Sequence, residues 1–126
     1  MSELGTTKRT FLTAEKFAQL PIIGTLDPNT IRFSQESISP YFQDPELGSV
    51  EDLTTQLLQG ARDPFSIEPI RIVEKDSMIF TLDNRRLKAF QDAGVEIPYV
   101  RLNRIPGGEK FKFTTKNDGI SIMIRY

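Results

Sequence analysis

The segment TLDNRRLKAF places four polar residues between a β-favouring run and a helical run: Asp83, Asn84, Arg85 and Arg86. A helix start exposes unpaired amides and the positive end of the helix dipole, so two adjacent arginines are unfavourable there unless an anion accompanies them. A phosphate at this position would accept backbone hydrogen bonds and a bidentate bond from a guanidinium. The segment therefore predicts an anion site at the beginning of a helix.

Other interpretations give the residues of this segment different roles. Arg85 can pair with Asp83, Glu74 or Glu96, while Arg86 lies on a solvent-exposed face. Asp83 can cap the helix, or its carboxylate can serve beside a bound anion as a general base or a Mg²⁺ ligand. The residues alone leave these alternatives open.

A second polar cluster lies in the segment IRFSQESI. It contains Arg32, Ser34, Gln35 and Ser37, whose guanidinium, hydroxyl and amide groups suit phosphate, ribose or base edges. The same segment also fits a helix that Ser34 caps, with Gln35 and Glu36 in its first turn.

Two further segments can be explained either by ligand binding or by a role in the fold alone. In TTKNDGISIMIR, Lys116 and Asp118 offer a cation and a base, although an Asn-Asp-Gly turn needs no function to explain it. Tyr41 and Phe42 lie in a proline-flanked loop, where they would stack on a base if they are not part of the core.

Composition excludes several kinds of chemistry. The 126 residues include no cysteine and no histidine, which removes disulfides, thiolate and imidazole metal sites, and Ser-His or Cys-His nucleophiles. The 16 basic and 17 acidic residues give a net charge of -1, so the whole molecule is not steered towards nucleic acid or an anionic membrane. Acid-base work would fall to carboxylates, lysine, tyrosine or bound water.

Local patterns predict the secondary structure. Helices are predicted from Thr13, from a cap at Ser49 to Gly60, and from Asp83 or Asn84 to Gly94. A short strand is predicted at 31–33, and strands at 70–73 and 78–82 are predicted to form a hairpin with a turn at 75–77. A further strand is predicted at 95–102, where Pro98 indicates an edge position or a bulge. A second hairpin is predicted around the turn at 117–119.

This order of elements predicts an α+β fold, with a small mixed β-sheet and two main helices. We divide the chain into an N-terminal arm or short helix, 1–29, and a main domain, 30–126. No signal-peptide-like or membrane-spanning apolar run is present, so we expect a protein that acts in the cytoplasm, away from membranes.

Several segments together resemble the ParB-like/sulfiredoxin superfamily, in the form found at the C-termini of bacterial polymorphic toxins. They are IRFSQESISPYF, PIRIVEKD, TLDNRRLKAFQDAGVEIP and KFTTKNDGISIMIR, and the similarity covers about residues 30–125. In that superfamily a basic helix start after a strand holds nucleotide phosphates, and here Asp83-Asn84 replaces the usual glycine.

The resemblance implies a toxin-like effector that hydrolyses a phosphoester or phosphoanhydride bond of a nucleotide or nucleic acid, with a divalent ion such as Mg²⁺ as a candidate cofactor. It also implies a cognate immunity protein as a partner and, for a fragment of an exported toxin, action in the cytoplasm of a target cell. We expect Asp83, Arg85 and Arg86 in catalysis, no metal-ligand cluster, and substrate or phosphate binding by Arg32, Ser34, Gln35, Ser37, Asn84 and Lys116.

Two departures from the superfamily limit this expectation. Sulfinic-acid repair is not carried over because that chemistry needs a thiol, and no basic helix-turn-helix follows for recognition of a DNA site. The alternative function is a non-catalytic nucleotide-binding or protein-interaction module of the same fold, which the slightly acidic net charge and the lack of histidine favour.

Overall fold

A computed structural model of the chain describes residues 9–126, and its α+β architecture confirms the predicted fold class. The helices are α1 (Ala14–Gln19), α2 (Val50–Leu58) and α3 (Asn84–Ala93), with 3₁₀ turns at Pro28–Thr30, Pro64–Ser66 and Gly107–Lys112. The strands are β1 (Ile23–Leu26), β2 (Arg32–Phe33), β3 (Ser37–Ile38), β4 (Ile70–Lys75), β5 (Met78–Thr81), β6 (Ile97–Arg101) and β7 (Met123–Ile124).

Five of the strands form one mixed sheet in the order β1-β6-β4-β5-β2. The pairs β1/β6 and β4/β5 are antiparallel, whereas β4/β6 and β2/β5 are parallel. β3 and β7 form a separate parallel pair. The parallel pairing of β2 with β5 brings the loop after β2 close to the start of α3, which directly follows β5.

The β4-β5 hairpin forms as predicted and delivers the chain to α3. Asp76 and Ser77 both have a positive φ, of 54° and 65°, and Lys75 pairs with Met78 across them. Two consecutive left-handed residues make the tight turn whose twist matches that of paired strands. After β5 the chain passes through Leu82 and enters α3.

The predicted helices α2 and α3 also form, and they pack against each other. Ser49 and Asp52 make the predicted capping box, in which each side chain accepts a hydrogen bond from the other residue's amide. Leu53 and Leu57 of α2 are buried in the same core as Leu87 of α3. Burial of each such side chain contributes about 1.5–3 kcal/mol to folding.

Successive strand residues supply two apolar clusters on opposite faces of the sheet. Ile72 and Ile79 belong to the main core beneath the helices. Their neighbours Val73 and Phe80 join Leu82 in a smaller cluster. The segment after β6 covers this second cluster, and it carries side chains back towards the start of α3.

The suggestion that Pro98 marks an edge or a bulge is wrong, because β6 lies between β1 and β4. Pro98 is paired with Thr25 of β1, but pairing with β4 begins one residue later, with Tyr99 opposite Ile70. The residue that has no amide hydrogen therefore precedes the β4 ladder and does not interrupt it.

The second predicted hairpin is also wrong, although its turn forms at Asp118 and Gly119, with φ of 57° and 72°. The KFKF run is a 3₁₀ turn, and β7 pairs with β3. Phe113 packs edge-to-face on Phe80 with ring centroids 5.4 Å apart, and Lys112 donates a hydrogen bond to the Leu82 carbonyl at 2.8 Å. These long-range contacts override the local β preference.

The N-terminal helix begins at Ala14, where the Thr13 hydroxyl caps it. Phe17 is buried in the main core, and β1 is one of the two edge strands of the five-stranded sheet. The predicted boundary between residues 29 and 30 stays a prediction, and residues 1–8 of the predicted arm lie outside the described residues. Across residues 9–126 no helix has the length and apolarity needed to cross a bilayer.

Gly119 and Gly60 offer a matched test of how tightly the C-terminal turn docks. Both have a φ of 72°, but a Cβ on Gly119 would clash with the Phe33 carbonyl oxygen, whereas one on Gly60 would meet nothing within 4 Å. We expect Gly60→Ala to cost about 1 kcal/mol of unfolding free energy, and Gly119→Ala to cost clearly more. Equal losses in urea titrations would contradict this docking.

Candidate functional site

A cleft of about 460 Å³ opens at the start of α3. Five of the predicted site residues line it: Gln35, Asp83, Asn84, Arg85 and Arg86. The other lining residues come from the loop before α2, from the segment between α2 and β4, from β4, from the link between β5 and α3 and from the 3₁₀ turn after β6: Phe42, Gln43, Asp44, Glu46, Leu47, Arg62, Ser66, Ile67, Glu68, Arg71, Leu82 and Lys112.

Asp83 is held by two arginines on the floor of this cleft. Its Oδ2 accepts hydrogen bonds from the Arg71 amide at 2.8 Å and the Arg71 Nε at 3.0 Å, while its Oδ1 lies 2.8 Å from Arg71 Nη2 and 2.9 Å from Arg86 Nη2. Burial acts to raise the pKa of Asp83, but the Arg71 hydrogen bond and the Arg86 charge outweigh it and lower that pKa. The carboxylate therefore stays ionised and is poorly suited to accept a proton.

The same network neutralises the other deep cations. Arg71 also lies 3.1 Å from Glu109, which pairs in turn with Lys112 at 2.8 Å. The hydrogen bond from Lys112 is the largest influence on Glu109 and lowers its pKa. Arg86 additionally donates to the carbonyls of Glu68 and Pro69. These bonds link β4, the start of α3 and the 3₁₀ turn after β6 into one framework.

The Asn84 side chain holds the loop after β2 against the start of α3. The side chain is buried, and its Oδ1 accepts hydrogen bonds from the amides of Ser34 at 2.8 Å and Gln35 at 3.3 Å. Its Nδ2 donates to the Ser34 hydroxyl at 3.0 Å and to Gln35 Oε1 at 3.2 Å. The predicted loop and the predicted helix start are therefore joined directly, with Ser34 as a buried structural partner.

The start of α3 keeps free hydrogen-bond donors. Asp83 is the N-cap residue, but its side chain makes no capping bond because the arginines occupy it. The amides of Asn84, Arg85 and Arg86 donate to no other atom of residues 9–126. Such amides, together with the helix dipole, favour an anion.

Arg85 and Arg62 are the cleft cations that have no carboxylate partner within residues 9–126. Arg85 donates to the carbonyl oxygen of Tyr41 at 2.9 Å. Arg62 donates to the Gln56 side chain at 2.9 Å and to the Glu46 carbonyl at 3.1 Å. Each guanidinium has five donors, so both retain donors for a ligand.

The simpler interpretations of the two polar segments are wrong. Arg85 does not pair with Asp83, Glu74 or Glu96; Arg86 makes the pair with Asp83 and is only 16% exposed. No helix begins at Ser34 either, because the chain there passes from β2 to β3.

Four predicted ligands lie outside the cleft. The Arg32 guanidinium lies 3.9 Å from the Phe11 ring centroid and donates to the Asp118 carbonyl. Ser34 is fully buried, and the Ser37 hydroxyl accepts a hydrogen bond from Arg125 at 2.6 Å. The Lys116 side chain is 80% exposed and lies 3.7 Å from Glu36, beside a separate, smaller cavity. Their binding roles stay predictions and do not enter our proposal.

Asp83 is not free to act as a metal ligand, because Arg71 and Arg86 engage its carboxylate. Within residues 9–126 there is also no group of three or more Asp or Glu side chains suited to a metal ion. The suggestion that Asp83 holds Mg²⁺ therefore does not fit this arrangement.

Sequence reasoning missed Arg62, Arg71 and Lys112. Arg71 carries a local signal, since it is a charged residue between Ile70 and Ile72 in an otherwise apolar strand. Its partner Asp83 is twelve positions away, however, and Lys112 is thirty positions from the Leu82 carbonyl that it binds. Spacing along the chain gives no indication of these contacts.

No protein-family model matches the chain, and no curated protein matches it either. The resemblance to the ParB-like/sulfiredoxin superfamily stays a prediction.

The Asn84 link can be tested by truncation. We expect Asn84→Ala to cost about 1–3 kcal/mol of unfolding free energy, because the amides of Ser34 and Gln35 lose their buried acceptor. Asn103→Ala is the matched control, because Asn103 is exposed. Urea titrations that show equal stability for both variants would contradict the link.

The ion pairs of Asp83 predict a dependence of stability on pH. Its folded pKa is lowered, so its contribution is complete above the unfolded pKa of about 4 and is lost as pH falls through the folded value. We expect Asp83→Asn to lose less stability than the native chain on acidification from about pH 5. Parallel curves of unfolding free energy against pH would refute this contribution.

Proposed function

We propose that this protein binds a phosphate-bearing nucleotide in the cleft at the start of α3. The observation that carries the proposal is the distribution of charge: Asp83 and Glu109 engage the deep cations, whereas Arg85 and Arg62 have no carboxylate partner within residues 9–126. A phosphate beside Arg85 would also meet the free amides of α3.

The apolar part of the cleft suits the rest of such a ligand. Phe42, Leu47, Ile67 and Leu82 line it together with the charged groups. Phe42 is half-buried, so its ring combines a fixed position with an accessible surface, as stacking on a base requires. Tyr41 is 67% exposed and is held near Arg85 through its carbonyl oxygen.

A binding module needs no catalytic base, and Asp83 does not supply one. Hydrolysis needs a group that orients or deprotonates water, and the deep carboxylate, Asp83, has both oxygens engaged by arginines. Arg85 and the helix amides could still stabilise developing negative charge. Hydrolysis, the effector role and the cognate immunity protein stay predictions that rest on the resemblance.

The binding proposal predicts a specific loss of affinity. We expect Arg85→Ala to weaken ADP binding by about 10- to 100-fold in calorimetry, because a charge-assisted hydrogen bond contributes about 1.5–3 kcal/mol. Lys88→Ala is the matched control: Lys88 lies on α3 but pairs with Asp92 outside the cleft. Unchanged affinity in a folded Arg85→Ala variant, or equal losses in both variants, would overturn the proposed site.

Catalysis is tested separately with ADP, ATP and RNA in the presence of Mg²⁺. The binding module predicts ligand-dependent thermal stabilisation without product. Turnover that disappears in Arg85→Ala would instead establish an enzyme. Toxicity on expression in bacteria that is lost in the same variant would support the effector role.

A further inference from the structure

The charges of the cleft are separated by depth. The cations that line it are half-buried: Arg62, Arg71, Arg85, Arg86 and Lys112. The three lining carboxylates outside the ion-pair network are exposed: Asp44, Glu46 and Glu68. We call these three residues the acidic rim. The cleft therefore has positive charge inside and negative charge at its edge.

We infer that the acidic rim restricts the ligand to a small, free nucleotide and excludes single-stranded or duplex nucleic acid. This inference rests on the proposed function and identifies the class of ligand at the same site. A free nucleotide ends within the cleft, where its phosphate meets Arg85 and the amides of α3. A polynucleotide must continue past the edge, and its next phosphates would meet the acidic rim at short range.

Physical chemistry of polyanion binding supports this assignment. Affinity for a nucleic acid comes largely from neutralising several backbone phosphates with lysine or arginine, which releases condensed counterions. Here five cations line one cleft, the exposed charged residues of its lining are all acidic, and the whole chain has a net charge of -1. Negative charges at the edge of a site repel a polyanion that extends past the edge, and they need not contact a smaller ligand that binds inside.

The carboxylates of the acidic rim make few contacts within the protein that would require a negative charge. Asp44 Oδ1 accepts a hydrogen bond from the Glu46 amide at 3.0 Å, which an asparagine could also accept. The Glu46 and Glu68 carboxylates make no ion pair within residues 9–126; each residue instead contributes its backbone carbonyl to an arginine. Neutral isosteres at these positions should therefore preserve the fold.

The test compares two ligands with two triple variants. Binding of ADP and of an oligodeoxythymidylate of about 20 nucleotides is measured at low salt for the native chain, for Asp44→Asn/Glu46→Gln/Glu68→Gln and for Glu51→Gln/Glu74→Gln/Asp92→Asn. The second variant makes the same change in net charge at exposed carboxylates that do not line the cleft.

We expect the native chain to bind ADP more tightly than the oligonucleotide. The rim variant should gain at least about tenfold in oligonucleotide affinity with less than about a threefold change for ADP, while the control variant gains much less. Equal gains in both variants, no gain in the rim variant, or tighter native binding of the oligonucleotide than of ADP would overturn the inference while leaving the nucleotide site intact. Absence of ADP binding in the native chain would overturn the proposed function itself, and the inference with it.

Discussion

The buried carboxylate of Asp83 is the constraint on which the cleft depends. It joins the backbone and guanidinium of Arg71 on β4 to Arg86 on α3, and so ties the start of the helix to the sheet. Without it, two cations would repel each other beside the positive end of a helix dipole. Because Asp83 is occupied in this way, it leaves the helix amides uncapped, and Arg85 becomes the arginine of the pair without an acidic partner within the described chain.

The loop before α2 accepts hydrogen bonds from Arg85 and Arg62, the two cations that we also propose for ligand binding. Arg85 holds it at the Tyr41 carbonyl and Arg62 holds it at the Glu46 carbonyl. These are bonds to neutral acceptors, which are weaker than bonds to carboxylates, so a phosphate can recruit the same guanidiniums. The proposed ligand site and the loop at residues 41–46 therefore share Arg85 and Arg62.

Local signals in the sequence predicted the elements that build the cleft but not the contacts that complete it. The capping residues Ser49 and Asp52, the glycine stop at Gly94 and the polar turn before Met78 each act within a few residues, and the helices and hairpin that they predict are present. The position of β6, the pairing of β7 and the fold of the KFKF segment depend on partners far along the chain. The same distinction applies to the site: local signals indicated the helix start, whereas spacing along the chain did not indicate the contacts of Arg71 and Arg62.

The most direct measurement of the central claim is an amide NMR titration of the native chain with ADP at low salt. We predict that the largest shift changes fall on the amides of Asn84, Arg85 and Arg86, that the Arg85 Nε resonance moves with them, and that inorganic phosphate reproduces part of the effect. Unchanged resonances at the start of α3, or changes confined to the surface around Lys116, would contradict the account.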